Sequence, residues 1–238
     1  MKPFLASIIL FFSSYAMPAD PLRVGIVHFP PMFIVENGNV VGGSVVEIME
    51  KTLNHASLDY RLISYPAKRA YVSLGTGAMD LHGGLKKNVH YHDQVIYSNN
   101  TIVSVELRVY GFGDAPLPQS IPELRGKQLG LIRGFQYGGK LPQLTDIQNE
   151  KFVTTIDSHS SALLMLESGR IDFLLDYKSP VDSELKLYPL PEIQHTTIEK
   201  LDLYFVLNKN RPNAREIMTL LNASYLSLFP EHTTENTH

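Results

Sequence analysis

The sequence predicts an α/β protein of two similar lobes with mainly parallel sheets, and three observations predict it. After residue 20, strand-like runs alternate with amphipathic helical segments. Ala70, Leu74, Gly77 and Asp80 recur as Ala162, Leu166, Gly169 and Asp172, each displaced by 92 residues; two similar helix–Gly–strand units imply two similar lobes. Two long alternating runs, Ile102 to Tyr110 and Lys200 to Leu207, stand where a chain would cross between lobes and return. The expected domains are residues 1–19 as a leader, 20–104 with 200–238 as lobe 1, and 105–199 as an inserted lobe 2.

The leader reads MKPFLASIILFFSSYAMPAD, with Lys2 ahead of an apolar run from Phe4 to Phe12 and small residues after it. That pattern is a secretory signal peptide, cleaved after Ala16 or Ala19. The apolar run is far shorter than the ~20 residues a membrane-spanning helix needs. The mature chain is expected in the periplasm. Leu22 to Val27 is the first strand. Ser44 and Glu47 then have capping-box spacing, with Val45, Ile48, Met49 and Leu53 as the apolar face of the helix they open. Tyr60 to Ser64 is the next strand, followed by a helix from Ala67 to Leu74 that ends at Gly75 or Gly77 as a left-handed cap. Met79 to Leu81 begins a further strand.

In the second lobe Gln128 to Ile132 is the opening strand, and it leads into a glycine-rich turn as Arg23 to Val27 leads into His28 to Pro31. The three prolines of Gly113 to Pro122 mark a loop, Asn213 to Leu228 is the final helix, and Glu231 to His238 is a polar tail.

Composition narrows the function. The 238 residues include no cysteine, which excludes disulfides, thiolate metal sites, cysteine nucleophiles and a lipid-modified N-terminal cysteine. A net charge of −3 gives no basic excess to attract nucleic acid.

The order LRVGIVHFPPMF, Gly-Gly-Ser at a helix start, LGTGAMDL, VIYS, LRGKQLGLIRG and LESGRIDFLLD, spread from Leu22 to Leu228, resembles the bacterial extracellular solute-binding proteins of family 3. These are typified by the amino-acid-binding components of ABC importers. The resemblance implies a type II periplasmic-binding fold, two doubly wound α/β lobes joined by two crossover strands, with a ligand held in the cleft. Open α/β sheets bind beyond the carboxyl ends of their strands, so the candidates are residues just after strands. In lobe 1 these are His28 and Phe29, Tyr65 with the Pro66 to Arg69 helix entry that includes Arg69, and His82 to Leu85 with Gly84 among them; in lobe 2 they are Phe135, Gln136 and Tyr137, then Asp176 and Tyr177. Phe29 lies where the family often sets an aromatic over the ligand, the alternative being a ring packed beneath the Pro30–Pro31 turn. Arg69 offers an anion grip or is a surface helix arginine. Asp176 matches the carboxylate that holds a substrate's α-ammonium, the alternative being a structural salt bridge.

The sequence departs from the family at the carboxylate grip. Where amino-acid receptors carry an arginine after the third strand, this chain reads KKNVHYHDQVIYS, and Tyr91 or His92 stands at the matching position. A ligand with an ammonium or several hydrogen-bond donors is therefore expected, with Phe29 and Tyr65 around it and Gln136 and Tyr137 at its other end. His82, His90, His92 and Asp93 lack diagnostic metal spacing, so no metal and no cofactor is expected. Gly134 to Lys140 has a P-loop outline, but Leu141 replaces the magnesium-holding Ser or Thr.

The expected function is capture of a small polar, amine-bearing or amino-acid-like solute for the permease of an ABC importer, or for a membrane sensor or chemoreceptor. A monomer without enzymatic activity is expected. The alternatives are an enzyme similar to the periplasmic cyclohexadienyl dehydratases, or a partner or sensor protein that has lost its solute site.

Overall fold

The computed structural model describes residues 20–231 except 87, 89–90, 92, 115 and 148–149. The leader, His90 and His92 lie outside the described residues.

The chain opens on β1 (Leu22–Ile26), whose Leu22, Val24 and Ile26 are buried on one face. A short hairpin follows, β2 (Ile34–Glu36) with β3 (Asn39–Gly42), turning at Asn37 and Gly38, which both have positive φ. Asn-Gly is a strong turn signal for such a hairpin. Helix α1 (Ser44–His55) differs from expectation at its start. Ser44 is the first helical residue, the cap is Gly43, and no side chain caps the helix. The free N–H groups instead find main-chain carbonyls: Ser44 donates to Pro31 at 3.2 Å, and Val45 to Met32 at 3.1 Å. A Cβ on Gly43 would stand 2.3 Å from the Met32 oxygen, and its φ is +123°, so a glycine is required there.

Strand β4 (Tyr60–Ser64) and helix α2 (Ala67–Thr76) follow, with Gly77 as the left-handed cap. Strand β5 (Leu81–Leu85) starts two residues later than expected. Strand β6 (Val95–Tyr97) leads to β7 (Val103–Phe112). The second half runs β8 (Leu129–Ile132), α3 (Leu141–Ile147), β9 (Val153–Ile156), α4 (His159–Glu167), β10 (Phe173–Tyr177) and α5 (Lys178–Leu187). The long β11 (Ile193–Asn208) returns, and α6 (Ala214–Leu228) closes the described chain. The returning strand begins seven residues before the predicted Lys200.

Strand order shows the duplication. The first half is β4-β1-β5 in parallel with β11 antiparallel at its side; the second is β9-β8-β10 in parallel with β7 antiparallel at its side. The repeated residues do the same work in each half. Asp80 accepts a hydrogen bond from the main-chain N–H of Arg23 at 2.9 Å, and Asp172 accepts one from Gln128 at 2.7 Å. Each aspartate returns its own N–H to the carbonyl of that same residue. Gly77 and Gly169 have φ of +79° and +66°, and Ala70, Leu74, Ala162 and Leu166 are all buried.

The halves are not separate sheets. Strands β7 and β11 pair antiparallel from Val103–Leu203 to Phe112–Ile193, with one bulge between Thr197 and Glu199, so the two halves share one sheet through both crossings. One core lies between the first half-sheet and α1 and α6, built on residues such as Val24, Met49, Phe205 and Leu221. The other runs from α2 and Val206 through Leu107 to Leu131, Leu175 and Val181 of the second half.

Candidate functional site

The carboxyl ends of the parallel strands of both halves face each other across a cleft. Val27 and Phe29 follow β1, Gly83 to Leu85 end β5, Phe135 follows β8 and Tyr177 ends β10; all of them border one cavity of about 60 Å³. Three rings fill the gap. Phe29 lies 6.0 Å from Phe135 and 5.2 Å from Tyr177, and those two are 5.8 Å apart. Each such pair contributes roughly 0.5–1.5 kcal/mol beyond the area it buries. Beyond His82 the β1 pairing of β5 has stopped, so the main chain of Gly83 and Gly84 is laddered to β11 and borders the cavity. A Cβ on Gly83 would press the Phe33 ring at 2.9 Å, and one on Gly84 would meet the Tyr91 hydroxyl at 2.7 Å. The two glycines are what let these rings lie against the strand.

His82 and Tyr71 complete the wall on the first-half side. The Nδ1–H of His82 donates to the Gly25 carbonyl at 2.9 Å, which fixes the tautomer of the buried ring. Burial lowers its pKa, so it is neutral at pH 7. Tyr71 sits edge-on to His82 at 6.0 Å, and burial pushes its hydroxyl up to about 12.

Asp176 is wholly buried one residue before Tyr177, and its carboxylate is engaged from within its own half. Oδ2 lies 2.6 Å from His159 Nδ1 at the first turn of α4, and Oδ1 accepts the Tyr177 N–H at 2.7 Å. Both contacts come from the same half as the aspartate. Burial alone would lower the pKa of His159, but the charge and hydrogen bond of Asp176 outweigh it and raise it. The imidazole also lies 5.8 Å from the Phe135 ring, so the pair stands directly behind two of the cleft's rings.

The remaining predicted residues fall into three groups. Phe29 and Gly84 border the cavity. Tyr91, Tyr137 and Gln136 are buried beside it. Tyr91 touches Tyr71 at 6.3 Å; Tyr137 stacks on Tyr177 at 6.0 Å, and its hydroxyl accepts the Ile132 N–H at 2.7 Å. Gln136 has a buried Oε1 without a hydrogen-bond partner among the described residues. Tyr65 is half-buried against the core and Arg69 is exposed on α2, both away from the cavity wall. The α2 start nevertheless reaches across: a Cβ on Gly134 would stand 3.0 Å from the Lys68 nitrogen. In the P-loop-like turn, Lys140 is ion-paired with Glu199 of the crossing strand β11, and Gly138 lies under Leu201.

Tyr71 and His159 are not among the residues expected from the sequence. A ring at the fifth position of α2 has no local signal. His159 had one, because the 92-residue offset pairs it with Ala67 at the equivalent helix start, where a buried imidazole needs a partner.

No family model and no curated protein matches the chain. Solved structures do. A histidine kinase sensor domain with similarity to periplasmic binding proteins superimposes with a TM-score of 0.73 at 16% identity, covering 90% of this chain and 93% of that one. The ligand-binding core of GluR0 in complex with L-glutamate gives 0.71 at 16% identity, covering 91% and 96%. The arginine-, lysine-, histidine-binding protein ArtJ from Geobacillus stearothermophilus gives 0.67 at 15% identity, covering 90% and 91%. The chain therefore has a periplasmic-binding-protein-like α/β fold with two lobes.

Proposed function

We propose that this chain is an exported solute-binding protein whose lobes, residues 20–104 with 200–238 and residues 105–199, close over a small solute and open about the β7–β11 crossing. One observation carries the reading: Phe29 of one lobe meets Phe135 and Tyr177 of the other across a cavity at the carboxyl ends of both sets of parallel strands. The solute is amine-bearing or amino-acid-like, in keeping with the arginine, lysine, histidine and glutamate named for structures of the same fold. The closed form is presented to the permease of an ABC importer or to a membrane sensor, and binding with hinge closure is the whole mechanism. No reaction is assigned: the described cavity wall has no charged side chain to serve as the acid or carboxylate grip of a dehydratase.

A second reading, a sensor or partner protein that has lost its solute site, is favoured by how fully the rings occupy the cleft. A thermal-shift screen of the mature chain against amino acids, amines, short peptides, organic acids and metals separates the two. A solute at 100 times its dissociation constant adds about 2.7 kcal/mol of stability. No stabilisation by any class would overturn the solute-binding reading.

A further inference from the structure

We propose that the cleft takes an organic monocation with an apolar body, an arylalkyl- or alkylammonium lacking a carboxylate, rather than a zwitterionic amino acid. The inference rests on the solute-binding reading and names its substrate class. Aromatic rings from both lobes, Phe29, Tyr71, Phe135 and Tyr177, border the cavity, and ring faces attract an alkylated or aryl-substituted ammonium without stripping it of a strongly held hydration shell. His82, the one imidazole among the described residues of the wall, is held neutral by burial, and its Nδ1–H is taken by the Gly25 carbonyl.

Among the described residues, three cationic side chains near the cleft are committed elsewhere, and Lys68, exposed at the start of α2, does not border the cavity. Arg133 pairs with Asp157 at the surface, Lys140 pairs with Glu199, and the Lys86 ammonium sits 3.9 Å over the Tyr204 ring. Arg69 points from an exposed position on α2 and does not border the cavity. A zwitterion would bring an unpaired carboxylate into this apolar wall, which is strongly unfavourable. A monocation brings no carboxylate to that wall, and behind it the Asp176 carboxylate is paired with His159, whose ring lies 5.8 Å from that of Phe135.

Calorimetric titration of the full mature chain with 2-phenylethylamine, tetramethylammonium, L-phenylalanine and L-glutamate tests this. Saturable binding of 2-phenylethylamine, at least about 10-fold tighter than L-phenylalanine, is expected, because the two differ by the carboxylate alone. Phe135→Leu should keep the fold and weaken the amine at least about 5-fold by removing a ring face. If L-phenylalanine or L-glutamate binds as tightly as the amine, or neither cation binds, the assignment of the class is overturned. The solute-binding reading survives that result wherever the wider thermal-shift screen finds any stabilising solute, and falls only when that screen is also empty.

Discussion

His159 Nδ1 and Asp176 Oδ2 are 2.6 Å apart, from two consecutive elements of lobe 2, and the aspartate is wholly buried while the imidazole keeps 7% of its side-chain surface. Such a pair is held together by the loss that follows when either member is removed, because the survivor is left charged or unsatisfied in a low-dielectric interior.

Asp176→Ala should accordingly destabilise the chain by about 3–5 kcal/mol, and Asp176→Asn, which can still accept from a neutral His159, by about 1.5–3 kcal/mol. Urea denaturation of the two variants checks this. Equal stability of Asp176→Asn and the native chain would mean that the pair contributes nothing to the fold.

Stability should fall on both sides of the ordinary histidine range, for opposite reasons. The raised pKa of His159 gives a contribution that is fully present below about 6.5 and is lost as pH rises through its folded value. The lowered pKa values of His82 and His28, both caused first by burial, act in reverse: stability is lost as pH falls below about 6.5. Melting curves from pH 5 to 9 should show a maximum whose alkaline side flattens in His159→Gln and whose acid side flattens in His82→Gln. Unchanged limbs in both variants would contradict the assignment.

The two repeated aspartates should differ in weight although they close the same turn. Asp80 is buried and accepts from Arg23 N, Nε and a terminal guanidinium nitrogen at 2.8–2.9 Å, whereas Asp172 is exposed and accepts from Gln128 N. Asp80→Asn should lower unfolding free energy by about 2–4 kcal/mol and Asp172→Asn by about 1 kcal/mol or less. Chemical denaturation of the pair gives the comparison, and an equal loss would refute it.

Gly134→Ala combines a local and a long-range effect. Its φ of +86° costs a residue with a Cβ roughly 1–2 kcal/mol, and the new methyl would stand 3.0 Å from the Lys68 nitrogen of the opposite lobe. A less stable chain with a larger radius of gyration in small-angle scattering is expected; a destabilised chain of unchanged size would show that the lobe contact is not strained.

The parts of the fold legible in the sequence are those set by local pattern and by duplication. Tyr60 to Ser64, the Gly77 cap and the Asp80–Asp172 equivalence follow from alternation, left-handed backbone and a fixed offset. The Ser44 cap was not legible correctly, because the carbonyls of Pro31 and Met32 that replace it come from a turn folded back over the helix start. The site was half legible for the same reason. Strand ends pointed to Phe29, Gly84 and Asp176, but whether the aspartate faces a ligand or a neighbour depends on His159, which lies on a different element.

The side-by-side crossing of β7 and β11 gives the molecule a torsion spring rather than a loose joint. Because the pairing of the two strands extends past both lobes and is interrupted only at the Thr197–Glu199 bulge, any proposed opening would twist and bend the ladder, most easily at that bulge. Groups seated on that axis, such as Lys140 with Glu199, travel little as the lobes rotate. On the proposed solute-binding reading, the resistance of that ladder to twisting would limit how far the rings part, and with it the size of solute admitted between them.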